Sequence, residues 1–145
     1  MGLSNKDRKC ISMFDIEQDK KIYPGEPVIV NKKTMLAKKP LIDEDNSDYF
    51  YAGVAIATTK EENTRTIICE DGYHMFYNPD KSITEENIGE VCYLYGDTVT
   101  MNDYSKIKAG IVAFIEISDK PADIADGADR QVWIYSDVSK EERDI

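Results

Sequence analysis

Short runs of apolar, β-branched and aromatic residues recur along this chain, each closed by Gly, Pro, Asn or Asp. They are PVIV (27–30), YFYAGVAIAT (49–58), TRTIICE (64–70), HMFYN (74–78), EVCYLY (90–95), TVTM (98–101), AGIVAFIEI (109–117) and QVWIYS (131–136). Runs of this length and composition, bounded by turn formers, predict β-strands. The breaks carry turn chemistry of their own. Pro24-Gly25 suits a type II turn, Asp71-Gly72 and Gly96-Asp97 suit hairpins, and Asn78-Pro79-Asp80 suits a type I turn. Helical signal is confined to two places. In SITEENIGE (82–90), Ser82 or Thr84 can cap a turn with Glu85 or Glu86 behind it and Gly89 as its stop. PADIADGADR (121–130) has room for one more turn. The pattern predicts an all-β fold, a small barrel or sandwich of short strands with one or two short helical turns.

The strand pattern is also stated twice. Gly25-Glu26 leads through VIV and TML to AGVAIAT, and Gly89-Glu90 leads through CYLY and TVTM to AGIVAFIEI. Ala52-Gly53 and Ala109-Gly110 open the last strand of each copy, 28 and 21 residues after the leading glycine. A glycine inside a strong strand marks a bulge or tight bend, which a curved barrel needs. The expectation is two hairpin-based units closing one barrel-like interior. The domain plan is an N-terminal arm over 1–21, the β domain over 22–136, and a charged C-terminal tail over 137–145.

Charge changes the picture by being uneven. The chain of 145 residues has a formal net charge of −10. Its first 41 residues hold nine bases and five acids, whereas the remainder holds nine bases and 23 acids. An acidic chain makes a poor general partner for nucleic acid, whose phosphates are bound by Lys and Arg. No apolar run approaches the ~20 residues of a membrane helix. The basic first third points to docking on an acidic surface through Lys6, Arg8, Lys9, Lys20 and Lys21.

Candidate chemistry is sparse. The single histidine, His74, is expected on the same strand face as Phe76. The spacing of Cys69 to His74 matches no zinc pairing, and no second Cys/His pair accompanies it. The three cysteines lack a C-x-x-C motif, and Cys69 and Cys92 lie in apolar runs, where packing as free thiols is expected. DEDNSD (43–48) offers hard oxygen ligands of the kind calcium takes, without the spacing of an EF-hand loop. Nucleotide-cradling glycine motifs are absent. The sequence therefore predicts no enzyme and no cofactor. Aromatic residues are the remaining signal, with Tyr49, Tyr51, Tyr93 and Tyr95 expected to offer an oligomer or ligand surface.

The ordered segments Gly25-Glu26-Pro27-Val28, Ala52-Gly53-Val54, Gly89-Glu90-Val91, Ala109-Gly110-Ile111 and Val132-Trp133-Ile134 span residues 22 to 135. This succession resembles the small β-barrel decoration, or cement, proteins of tailed-bacteriophage capsids and the related head-fibre base domains. The apparent extra hairpin TIICEDGYHMFYN, within the long connection of residues 59–88, departs from that pattern. The resemblance implies a structural virion protein, made in the host cytoplasm, that binds the capsid exterior as a dimer or trimer. Its partner would be the major capsid protein. The alternative expectation is a β-barrel module binding a glycan or host protein through its tyrosines.

Overall fold

The computed structural model describes residues 11–42, 46–61, 64–117 and 130–136. Among these residues almost all of the regular secondary structure is β-strand. The strands are β1 (Ile11–Ile16), β2 (Pro27–Asn31), β3 (Leu36–Lys38), β4 (Tyr49–Glu61), β5 (Thr64–Glu70), β6 (Gly72–Tyr77), β7 (Val91–Tyr95), β8 (Thr98–Thr100), β9 (Lys108–Ile117) and β10 (Arg130–Ser136). Among the described residues the 3-10 turn Glu85–Asn87 follows Thr84 at the expected N-cap position, but Asn87, in place of Glu85 or Glu86, closes the cap by accepting Thr84 N–H at 2.8 Å. The all-β expectation is thus met, and all eight sequence-predicted strands are present. The second helical turn expected at 121–130 falls outside the described residues, except that Arg130 opens β10.

The chain divides into two compact units, and the two copies of the repeat fall one in each. The first unit is a closed barrel in the order β1-β3-β2-β4-β5. The second is a five-stranded sheet in the order β6-β10-β9-β7-β8. Read from its other end, that order follows the cycle of the first barrel with each strand replaced by its counterpart, opened between β6 and β8, which are the edges of the sheet. Where the repeat suggested one common interior, each copy has a strand set of its own.

The correspondence extends to individual hydrogen bonds. Gly25 N–H donates to Ala55 O at 2.8 Å, and Gly89 N–H donates to Val112 O at 2.8 Å. Ala55 N–H donates to Glu26 O, and Val112 N–H to Glu90 O. Val28 pairs with Gly53 just before a register shift, and Cys92 pairs with Gly110 just before the equivalent shift. Gly53 and Gly110 both have positive φ, at 126° and 143°. The bulges expected at these glycines are present.

The first interior is built from alternate residues of each strand: Val28 and Val30, Phe50 and Ala52, Ile67 and Cys69, with Ile22, Ala37 and Ala55. Phe14 and Ile16 of β1 pack against them. The second unit buries Cys92, Leu94, Val99, Ala109, Val112, Val132 and Ile134, together with Ile83 and Ile107. A fully buried Val, Leu or Ile contributes about 1.5–3 kcal/mol through loss of water contact.

Two expectations are corrected by the topology. Residues 11–16 of the expected arm form β1, which pairs with β5 over five residues and in parallel with β3 at Asp15 and Ile16. Residues 1–10, with Lys6, Arg8 and Lys9, lie outside those described. The hairpin expected at Asp71-Gly72 is absent. β5 is flanked by β1 and β4, and β6 pairs with β10, so the Gly72 turn (φ 103°) links two units. Both edges of β5 are already occupied, which leaves none for β6. The Gly96-Asp97 hairpin, by contrast, joins β7 to β8 with Tyr95 opposite Thr98.

Closure differs between the copies. In the first barrel, Glu17 N–H donates to Ala37 O at 2.9 Å just beyond the parallel β1–β3 pairing. At the equivalent place in the second unit, the side-chain amide of Asn78 donates to Val99 O at 2.8 Å. A polar knot holds that amide in place. Asp80 accepts from Asn78 Nδ2, Ser82 N–H, Ser82 Oγ, Thr100 Oγ1 and Asn102 Nδ2. Desolvation alone would raise the Asp80 pKa, but the bonds from Thr100, Ser82 and Asn102 outweigh it and hold the carboxyl below its ordinary 3.8. A folded-state pKa below the unfolded one gives stability that is present above pH ~3.8 and is lost as pH falls through the folded value. Urea titrations of the wild type and Asp80→Asn should therefore differ at pH 6. The gap should close progressively below pH ~4 as the wild-type carboxyl takes up its proton.

Candidate functional site

The duplication allows the two copies to be compared residue by residue, and the comparison isolates one face. On the outward side of the first barrel, Val54 stands opposite Glu70 and Ala57 opposite Ile68. At the same register positions in the second unit, Ile111 stands opposite Tyr135 and Phe114 opposite Trp133. The backbone pairing is the same, but the side chains have become large and mostly aromatic. Tyr73 of β6 joins them by packing on Tyr135, with ring centroids 4.8 Å apart. Phe114 and Trp133 stack at 5.4 Å with their planes 17° apart.

Ile111, Phe114 and Tyr73 face water, and Trp133 and Tyr135 are half-buried beside them. Ile111 is 44% exposed, Phe114 45% and Tyr73 49%, whereas their inward neighbours Val112, Val132 and Ile134 are essentially buried. Glu116, on the same outward row of β9, accepts a hydrogen bond from Trp133 Nε1 at 3.1 Å. That bond fixes the indole in its plane and leaves the second carboxylate oxygen of Glu116 uncommitted to it. The result is a contiguous aromatic surface with a carboxylate on its border. Exposed aromatic surface of this kind is a candidate contact site.

The residues expected to form the contact surface are placed elsewhere. Tyr51 is 4% exposed and buried, so it offers no surface. It lies on the face of β4 opposite Phe50, and burial on both faces of that strand removes it from solvent. Tyr49 is half-buried and serves the closure of the first barrel. Its hydroxyl donates to Glu17 Oε2, and the Lys38 ammonium sits 4.6 Å from its ring centroid. Burial, reinforced by the Glu17 bond, raises its phenol pKa. Tyr93 and Tyr95 are half-buried on β7, and Tyr95 packs on Tyr104 at 5.6 Å. Of the lysines expected to dock, Lys21 is exposed on the segment before β2, and Lys20 is half-buried beside it.

The thiols are in chemically quiet places. Cys92 is fully buried, and desolvation pushes its pKa up to about 12. Cys69 Sγ lies 3.6 Å from Ala52 O and 3.8 Å from Ser12 O inside the first barrel. A neutral, enclosed thiol is a weak nucleophile. In a Cys10→Ser variant, both remaining thiols should resist a disulfide reagent at pH 8 and react only after denaturant unfolds the chain. His74 is half-buried on β6, with its neighbours Tyr73 and Tyr77 exposed. Among the described residues, no group of three His, Cys, Asp or Glu side chains is arranged to hold a metal ion. Residues 43–45 of the acidic loop lie outside those described. Asn46 of that loop is buried and donates to Leu41 O.

The second unit also contains a half-open cavity of about 430 Å³, lined by Ile83, Thr84, Glu85, Glu86, Ile115 and Arg130. Its one cation is committed to the backbone, since Arg130 Nη1 donates to Ile83 O at 2.7 Å and to Lys81 O at 3.2 Å. That pairing fastens the start of β10 to the loop after β6. No helix among the described residues is long and apolar enough to cross a membrane.

Comparison with protein-family models, with curated proteins and with solved structures finds no match.

Proposed function

We propose that this chain is a structural protein of a tailed-phage virion. It attaches to the outside of the capsid as a homo-oligomeric decoration or head-fibre base protein and works by adhesion. The observation that carries the reading is the outward face of the second sheet. The two copies keep the same strand register, yet only the second places aromatic side chains on its outward face at these positions, with Phe114 exposed and Trp133 and Tyr135 half-buried. Exposed aromatic side chains that the fold does not need are suited to contact with something outside the chain. The resemblance of the Gly-led strand succession to capsid decoration proteins names the surface it would meet. Repetition of a modest contact at every lattice site would raise the overall strength of attachment.

The alternative, glycan or host-protein binding through tyrosines, loses Tyr51 to burial and the Tyr49 hydroxyl to Glu17. Co-sedimentation with empty heads of the encoding phage separates the readings. Binding should saturate at a copy number fixed by the lattice, and Phe114→Asp should abolish it while the far-ultraviolet spectrum stays unchanged. Heads that sediment without the protein at micromolar concentration would overturn the proposal.

A further inference from the structure

We infer that the outer face of the second sheet recognises arginine side chains on an apolar segment of its partner. The inference rests on the adhesive reading of that face and specifies what the face selects. Three observations converge on it.

First, the surface pairs aromatic rings with a carboxylate. Glu116 holds Trp133 through one oxygen, and the pair sits beside Phe114. A guanidinium that bonds Glu116 from the solvent side lies alongside the indole. There it gains a charge-assisted bond and a stacking contact together. Ammonium is compact and strongly hydrated, and it forms no equivalent planar contact.

Second, the local charge favours a cationic partner. The described residues of the second unit include seven acids and four bases, against eight of each in the first. Glu90 and Glu116 are exposed beside Val91 and Phe114. Lys108, the base on the outward side of β9, lies beyond the Gly110 bend. A second copy presenting the same face would bring carboxylates towards carboxylates. Phosphate-bearing partners would be repelled in the same way.

Third, the first copy is the built-in comparison. At the positions of Phe114, Trp133 and Tyr135 it has Ala57, Ile68 and Glu70, which keep the fold without the aromatic surface. The aromatic set is therefore not required by the strand pairing that the two copies share.

Trp133 is the only tryptophan in the chain, so the face carries its own reporter. The probe is a blocked pentapeptide, Leu-Arg-Leu-Arg-Leu, titrated into the full-length protein at fixed ionic strength. Its lysine counterpart is titrated in parallel. The arginine peptide should change Trp133 emission saturably and bind about tenfold more tightly than the lysine peptide. Glu116→Gln should weaken binding about tenfold, and Phe114→Leu should weaken it while leaving the carboxylate in place. Glu70→Gln, on the equivalent face of the first barrel, should leave the affinity unchanged. Isothermal titration repeats the series without relying on Trp133 emission, and near-ultraviolet dichroism checks that each variant is folded. Equal affinity for the two peptides, full affinity in Glu116→Gln, or no saturable response would each overturn the inference. Heads bound by the wild type and Glu116→Gln alike would overturn it too, leaving the capsid reading in place. Selective arginine binding without head binding would remove the capsid reading alone.

Discussion

Gly110→Ala should destabilise the protein by about 3–5 kcal/mol, and Gly53→Ala by a similar amount, through combined overlap and backbone strain. A Cβ built at Gly110 overlaps the carbonyl oxygen of Tyr135, and one at Gly53 overlaps the carbonyl oxygen of Glu70. Both obstacles are backbone atoms of the neighbouring strand, which cannot turn aside as a flexible side chain would. The φ values of 143° and 126° lie where L side chains are strained regardless of space. These glycines let β4 bend towards β5 and β9 towards β10, and the register shifts mark the same bends. Chemical denaturation checks the loss directly. A melting temperature lowered by roughly 10 °C is expected for either variant. Two equal losses at equivalent places would also establish that the copies share the physical device as well as its sequence.

That device is legible in the sequence, because a glycine in the middle of a β-branched run gives up packing and order for a bend or a close approach of backbones. So are eight strands, the Gly96-Asp97 hairpin and the turn at Asn78, where Lys81 N–H donates to Asn78 O. The missed strands have specific causes. β1 carries Ile11 and Met13 on its outer side, 66% and 63% exposed, so its apolar residues do not alternate with polar ones. β3 is three residues long and ends in Lys38, a cation that is nonetheless 7% exposed. No periodicity can be read in so short a stretch.

The aromatic face was hidden by a different effect. Strict alternation puts Val112 and Phe114 on one side of β9. The register shift opposite Trp133 and Ile134 leaves Ala113 unpaired and turns Phe114 outward while Val112 stays buried. One inserted residue reverses the face of everything beyond it. In β10, where no such insertion intervenes, Val132 and Ile134 alternate with Trp133 and Tyr135 as the sequence suggests. The tyrosine surface failed for the opposite reason. Tyr49 and Tyr51 follow alternation along β4, but alternation says nothing about what covers the outer side of a strand.

Asn78→Ala should cost about 2–4 kcal/mol, a large effect for one neutral side chain, because it leaves buried polar groups without partners. The residue is fully buried. Its amide nitrogen donates to Val99 O and to Asp80 Oδ1, each at 2.8 Å, and its oxygen accepts Ile83 N–H at 2.9 Å. Val99 and Ile83 are themselves buried, so water cannot replace what is lost. The first copy supplies the control. There the equivalent bond comes from the backbone of Glu17, so Glu17→Ala keeps it and forfeits chiefly the bond from Tyr49, worth about 1 kcal/mol. Asn78→Asp separates shape from donor chemistry. It preserves the acceptor for Ile83 but sets a second carboxylate beside Asp80, and both burial and that neighbour favour its protonated form. A protonated acid can donate where the amide did. The Asn78→Asp variant should therefore recover stability relative to wild type as pH is lowered from 7 towards 5, whereas Asn78→Ala should stay equally impaired across that range. Parallel curves for the two variants would show that the seam is held by packing and not by the donated bond.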